Sequence, residues 1–244
     1  MTYSEFNIAF KVKLDKLDIT AYPAFVQAEI DFWINQAIIT FVKTRFSGLN
    51  THRTGFQQDQ KRTDDLRILV KTYEKTNLVK TNSYSTYDEY VIDYPTNPEY
   101  WIGLGESVEI VGTNSDWPYI DESGTILSYT TDVKECTIDN INSNLENALS
   151  DYRFRNNKAK PLRYYCDNKI YLYTDKNYNI VEYDLSYITK PTPFKTTATN
   201  FNQEYTSLPS HTHDEITTLA VKLALENISD PRYKTMSDEY ATIE

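Results

Sequence analysis

The sequence predicts an α+β protein: an antiparallel bundle of about four main helices with a β-rich domain of short antiparallel strands inserted into it. Three observations predict this class. A long run of helical period extends from Pro23 to Phe46. After Lys75 the pattern changes to β-branched and aromatic runs broken by Pro and Asn. Near the other end, Ile216 to Ile228 carries apolar residues on two helical faces: Ile216, Leu219, Ala220 and Leu223 on one, Val221, Leu225 and Ile228 on the other. The order of helices, strands, one helix, strands and final helix excludes an alternating parallel α/β fold. It divides the chain into residues 1–78 (first part of the bundle), 79–136 (β-rich insertion), 137–160 (a bundle helix), 161–195 (β-meander) and 196–244 (final bundle helix and tail).

Taken in order, Ser4 to Leu17 places Phe6, Ala9, Phe10, Lys13, Leu14 and Leu17 at the spacing of a short amphipathic helix. Pro23 suits the first turn of the next helix. That helix carries the stripe Val26, Ile30, Trp33, Ala37 and Phe41, flanked by Ile34, Ile38 and Val42. Burying these side chains contributes on the order of 10–15 kcal/mol before conformational entropy is subtracted, which makes the helix a central strut. Ser47-Gly48-Leu49-Asn50 stops it. A third helix is expected from Phe56 to Glu74, with Leu66, Leu69, Val70 and Tyr73 inward and Asp59, Lys61, Arg62, Asp64 and Asp65 outward.

Strands are expected at Tyr90–Pro95, Tyr100–Leu104, Val108–Gly112 and Ile126–Thr130. A fourth main helix, Asp139 to Tyr152, is marked by Ile141, Leu145, Ala148, Leu149 and Tyr152, and its Asn- and Ser-rich polar face makes it the least stable of the set. A meander follows at Leu162–Tyr165, Lys169–Tyr173 and Ile180–Ile188, with turns at Asp167-Asn168 and Asp175–Asn179. In the last helix Ser210 and Thr212 are capping candidates, Glu215 completes a capping box with Thr212, and Asp230-Pro231 closes the run. Two apolar stripes on so short a helix predict burial on both sides, inside a bundle or between subunits.

A chain of 244 residues is long enough to bury a substantial core without disulfides. Cys136 and Cys166 lack the spacing of a metal or redox pair and read as reduced, ordinary cysteines. The N-terminal residues show no secretory pattern and no stretch approaches the length that spans a bilayer, so a soluble protein made in a cytoplasm is expected. The net charge of -10 and the absence of a basic patch disfavour direct binding to the nucleic-acid backbone. Tyrosine is used 21 times against six glycines. That usage fits protein interfaces and equally fits strands.

Catalytic, cofactor and metal chemistry is absent from the motifs. His52, His211 and His213 have no convincing serine or cysteine partner. His211-x-His213 is not the i, i+4 spacing that puts two imidazoles on one helical face. Gly103-x-Gly105 lacks the third glycine of a dinucleotide loop and reads as a turn between strands. The acidic pairs Asp64-Asp65, Asp88-Glu89 and Asp121-Glu122 read as solvated faces at this overall acidity. No enzyme is expected.

The run Phe25–Ala37, continuing through Phe41–Phe46, resembles the first long helix of the ring-forming head-to-tail connector proteins of tailed bacteriophages, most closely those of crAss-like phages. Phe56 with Arg62–Val70, Tyr183–Ile188 before Lys190-Pro191, and Leu208-Pro209 through Glu215-Ile216, Ala220, Leu225–Asn227 and Pro231–Tyr233 carry the same likeness. The resemblance implies a four-helix bundle with a β-rich insertion, assembled as a homo-oligomeric ring, commonly of twelve. It implies a virion structural protein at the portal and tail junction, formed in the host cytoplasm, whose partners are itself, the portal protein and neighbouring tail rings. It further implies that genomic DNA passes through the channel without specific binding and that no membrane is involved. An acidic ring fits DNA that slides without being held. On this reading Trp33, Phe41, Tyr84, Tyr87, Trp101, Val221, Leu225, Ile228, Arg232 and Tyr233 are the expected subunit or partner interface. The alternative is a carbohydrate- or receptor-binding virion module that stacks ligands on Tyr84, Tyr87, Tyr100, Trp101 and Trp117. A hydrolase built on Asp64, Asp65 and His211 is the remaining rival.

Overall fold

In a computed structural model, residues 1–14, 25–47, 56, 59–113, 117–146 and 159–228 are described. The chain is mixed α+β and falls into two compact units, residues 1–70 with 190–244, and 71–189.

The first unit holds helices α1 (Tyr3–Leu14), α2 (Gln27–Ser47), α3 (Gln60–Leu66) and α5 (His213–Ile228), the last preceded by a 3-10 turn at Ser210–Thr212. Phe6, Phe10 and Leu14 of α1, and Ile30, Ile34, Ala37, Ile38, Phe41 and Val42 of α2, are buried at the predicted helical spacing. Both helices pack on α5. That placement corrects the expectation that Val221 and Leu225 face a neighbouring subunit. The α5 stripe expected to wait for a neighbour is covered within its own unit, with Val221 at 0% and Leu225 at 2% exposure. A helix packed by two others needs apolar residues on two faces, and α5 is such a helix.

Three further expectations are corrected here. The third helix ends at Leu66, and after a turn at residues 67–69 the chain becomes strand β1 (Val70–Thr76), paired with β9 (Tyr178–Thr189). A paired edge outweighed the helical period, as β-branched Val70 and aromatic Tyr73 allow. The capping box does not form, since the Thr212 hydroxyl donates to the Pro209 carbonyl at 2.8 Å and Glu215 turns to Arg45. Finally, α4 (Ile138–Glu146) belongs to the second unit, where it packs on β7 (Leu162–Cys166), so the described residues do not form a four-helix bundle. The rest of the predicted span of that helix, to Tyr152, lies outside the described residues.

A strap from Lys190 to Pro209 closes the first unit. Asn35 of α2 accepts from the Phe194 amide at 2.8 Å and donates to its carbonyl at 2.7 Å, while Asp31 accepts from the Thr196 amide at 2.9 Å. Tyr3, Phe6, Phe194 and Tyr205 form an aromatic cluster with centroid separations from 4.7 to 6.1 Å.

The second unit contains two sheets. One has the order β1-β9-β4-β5, with β4 at Tyr100–Gly112 and β5 at Ser128–Asp132. The other has the order β2-β3-β8-β7-β6, with β2 at Asn82–Ser83, β3 at Asp88–Asp93, β8 at Lys169–Thr174 and β6 at Lys134–Glu135. The Asp167-Asn168 turn joins β7 and β8 as expected, with φ of 49° and 56°, the left-handed pair of a two-residue hairpin. The predicted meander does not continue beyond it. β9 pairs with β4 in the other sheet, so the segment from Asp175 to Asn177 carries the chain between layers.

The two strands predicted at Tyr100 and Val108 are one strand, and Gly103-x-Gly105 marks a register shift inside it instead of a turn. A second shift, opposite Glu109 and Ile110, inserts Val181 into β9. The extra residue reverses the alternation, so Ile180 and Tyr183, three apart, both face the core. That core draws on both sheets: Tyr90, Ile92, Ile170 and Leu172 from one, Val108, Ile110, Tyr183, Leu185 and Tyr187 from the other.

Candidate functional site

The structure separates the expected interface residues into three groups. Phe41, Val221 and Leu225 are core residues of the helical unit. The correction has a common cause: each lies on a helix face that another helix of the same unit covers. Trp33 is half-buried beside Phe32, their rings 5.1 Å apart, and Phe32 is 52% exposed. Tyr84, Tyr87 and Trp101 belong to the strand unit, with Tyr84 exposed and the other two half-buried. The Ile228 side chain, Arg232 and Tyr233 lie outside the described residues.

Exposed apolar surface on the helical unit sits elsewhere than predicted. Ile8 and Val12, one turn apart on α1, are 58% and 63% exposed. With Phe32 on α2 they are the large aliphatic and aromatic side chains that these two helices leave to solvent. The expected helix stripes ran through Phe6, Phe10 and Leu14, and the opposite face of α1 passed unread.

Tyrosines of the strand unit partly serve internal packing. Tyr164 and Tyr171 are directly opposed across β7 and β8 and stack at 4.7 Å, Tyr164 stacks on Tyr173 at 5.9 Å, and Tyr87 meets Tyr173 edge-on at 5.4 Å. These rings pack with Ile141 and Leu145 of α4. Tyr84, tilted on Tyr87 at 4.6 Å, is the exposed end of the ladder. Trp117, required by the carbohydrate-binding alternative, is buried and donates its indole N–H to the Leu127 carbonyl at 3.2 Å, so it offers no stacking platform.

One buried electrostatic site joins the two sheets of the strand unit. Arg163 on β7 grips Glu106 on β4 through two nitrogens, Nε at 2.9 Å and Nη2 at 2.6 Å, and Nη2 also donates to Glu135 at 2.7 Å. The guanidinium lies 3.8 Å from the Tyr165 ring centroid. Tyr165 and Tyr183 both donate their hydroxyls to Glu106, the latter at 3.1 Å. Burial, reinforced at Tyr165 and Tyr183 by the Glu106 carboxylate, pushes the phenols of Tyr94, Tyr165 and Tyr183 well above the ordinary tyrosine range. Glu106 is thus surrounded by donors that stay protonated, an arrangement that clamps two layers together.

Beside this clamp is a pocket of about 240 Å³ lined by Tyr100, Gly103, Leu104, Gly105, Glu106, Val133, Glu135, Arg163 and Tyr165. A larger groove of about 1060 Å³ shares Tyr100 and Tyr165 and is otherwise lined by Asp93, Tyr94, Pro95, Thr96, Glu99, Cys166, Asp167, Asn168 and Lys169. The individual residues were legible as strand and turn positions. Their convergence depends on the β3–β8–β7 pairing, which no local pattern announces.

In the helical unit a second buried cluster links α2, α3 and α5. Arg45 Nε stands 2.9 Å from Asp65 Oδ2, close enough for an ion pair though not aligned as a hydrogen bond. The same guanidinium donates to Glu215 and lies 4.8 Å from the Phe41 ring centroid. His211 Nε2 is 2.9 Å from Asp65 Oδ1. Burial raises the Glu215 carboxyl above its usual range despite the adjacent arginine. Two members of the hydrolase rival, Asp65 and His211, therefore do meet, but Asp65 is engaged with a buried arginine. His213 diverges from His211: its Nε2 is 3.0 Å from the Leu208 carbonyl and its Nδ1 is 2.8 Å from the Met1 amino nitrogen. Among the described residues no group of three His, Cys, Asp or Glu side chains is placed to hold a metal ion. Among the same residues no helix is long and apolar enough to cross a membrane.

Compared with known proteins, residues 1–236 match the sequence profile of a family described as phage tail ring protein 3/4. No curated protein matches the chain.

Proposed function

Since the chain belongs to the tail ring protein 3/4 family of crAss-like phages, we propose that this virion structural protein is a head-to-tail connector. In that role it forms a ring, of twelve copies by resemblance, that extends the portal's DNA channel and receives the next tail component. It acts without catalysis. The observation that carries the reading is the extent of the family match, residues 1–236, which takes in both structural units.

Two features support it. The helical unit leaves Ile8, Val12 and Phe32 in water, and apolar side chains so placed suit a contact with a second copy. The chain's charge of -10, multiplied around a ring, favours a channel along which DNA slides without sticking. The neighbour-facing surface then runs along the outer face of α1 and the first turns of α2, with Trp33 beside Phe32, and Tyr84, Tyr87 and Trp101 supplying contacts from the strand unit.

Electron microscopy of the purified protein mixed with the portal protein or a neighbouring tail ring protein tests this. Rings are expected in the mixture. Lone particles that persist at high concentration in the presence of both partners would overturn it.

A further inference from the structure

We propose that the larger groove of the strand unit, between the β7–β8 turn and the start of β4, binds an arginine- or lysine-bearing extended segment of a partner protein. The proposal deepens the ring reading by giving one docking contact a chemistry, and it rests on that reading only for the partner being a tail protein.

The fold already contains one solved instance of the recognition. The Arg163 guanidinium stacks at 3.8 Å over Tyr165 while the carboxylates of Glu106 and Glu135 accept its hydrogen bonds. The neighbouring groove repeats those ingredients, with Lys169 as an ammonium in its lining. It shares Tyr165 and adds Tyr94 and Tyr100, the Tyr94 ring centroid lying 5.2 Å from that of Tyr165 and 4.5 Å from that of Tyr100. Beside one ammonium, Lys169, it sets the carboxylates of Asp93 and Asp167. Neither Asp93 nor Asp167 has an ion-pair partner among the described residues.

Aromatic faces beside carboxylates attract a cation with an apolar stem and repel a phosphate or an acidic peptide. A volume of about 1060 Å³ exceeds what one side chain fills and suits a short stretch of extended chain. Sign also selects the source. A basic segment of a different protein complements the chain's net charge of -10, whereas contacts between copies in the ring are assigned to the apolar side chains Ile8, Val12 and Phe32.

The test titrates the full chain with a fluorescent Gly-Ser-Arg-Ser-Gly peptide and with the same peptide carrying citrulline, which keeps the shape of arginine and removes its charge. The arginine peptide is expected to bind about tenfold more tightly or better, and to weaken as salt is raised. The double variant Asp93→Asn/Asp167→Asn is expected to lose that preference while its circular dichroism is unchanged, because Asn tolerates the φ of 49° at position 167. Equal affinity for the two peptides, or an arginine preference that survives in the double variant, overturns the proposal. So does a loss of self-association in the double variant with no peptide preference in the parent, which would assign the groove to a second copy. Rings on the microscope grid without peptide binding would remove this inference and leave the ring reading standing. Peptide binding without rings would do the reverse.

Discussion

Replacing Arg45 by Met removes the guanidinium shared by Asp65 and Glu215 while keeping a long apolar stem against Phe41. The side chains involved are 1%, 2% and 10% exposed, so water does not take over as counter-charge. Breaking a buried ion pair from one side costs about 3–5 kcal/mol, because a desolvated carboxylate loses its main counter-charge. R45M is expected to lose that much against urea at pH 7. The loss also depends on pH. Burial already holds the folded pKa of Glu215 above its ordinary value, and Arg45 opposes that rise, so removing Arg45 raises it further. A carboxyl whose folded pKa exceeds its unfolded pKa binds more protons when folded. Its contribution to stability is then full below the unfolded value and is lost as pH rises through the folded value. R45M is therefore expected to recover part of its stability between pH 7 and about 5, whereas the parent, whose Glu215 is raised less, gains less over the same window. Urea denaturation followed by circular dichroism at both pH values measures this. Removing the whole cluster, as R45M/D65N/E215Q, is expected to restore most of the stability, since no bare charge remains. A single variant as stable as the parent, or one whose deficit grows on acidification, would refute the reasoning.

Leu225→Asp places a carboxylate at a core position that is 2% exposed, and is expected to yield insoluble or unfolded protein instead of a soluble assembly mutant; the soluble fraction on expression reads this out. Ile8→Asp with Val12→Asp changes side chains that face water, so the thermal midpoint should stay within a few degrees while ring formation in the microscope is lost. Gly112→Ala would put a methyl carbon 2.3 Å from Trp117, and the displaced indole is expected to lower stability by about 2–3 kcal/mol, seen as a lower urea midpoint and altered tryptophan fluorescence.

Reading the residues recovered α1, α2 and the β7–β8 hairpin, because each is written locally as a period or a turn. It failed where a distant partner decides. Val70 and Tyr73 fitted a helical stripe and an edge strand alike, and pairing with β9 settled the matter. The double stripe of α5 was read correctly as a demand for burial on both sides. The choice between a bundle and a neighbouring subunit could not be made from spacing, and α1 and α2 together answer it. Asp65 and Glu215 show the same limit for charge. One looked like solvated helix surface and the other like a capping residue, and only the meeting of α3 and α5 at Arg45 makes them a buried cluster. The groove is the extreme case, since its walls come from β3, β4, β7 and β8.

The helical unit is assembled from two stretches of chain separated by the whole strand unit, residues 71–189. During synthesis, α1 and α2 therefore leave the ribosome long before α5, the helix that covers them, has been made. Their greasy faces must wait through more than a hundred codons, which makes the nascent chain a natural client for chaperones and makes closing so distant a contact a slow step in reaching the native state. The interval also sets an order of events: the strand unit, complete in sequence before α5 appears, is free to mature first.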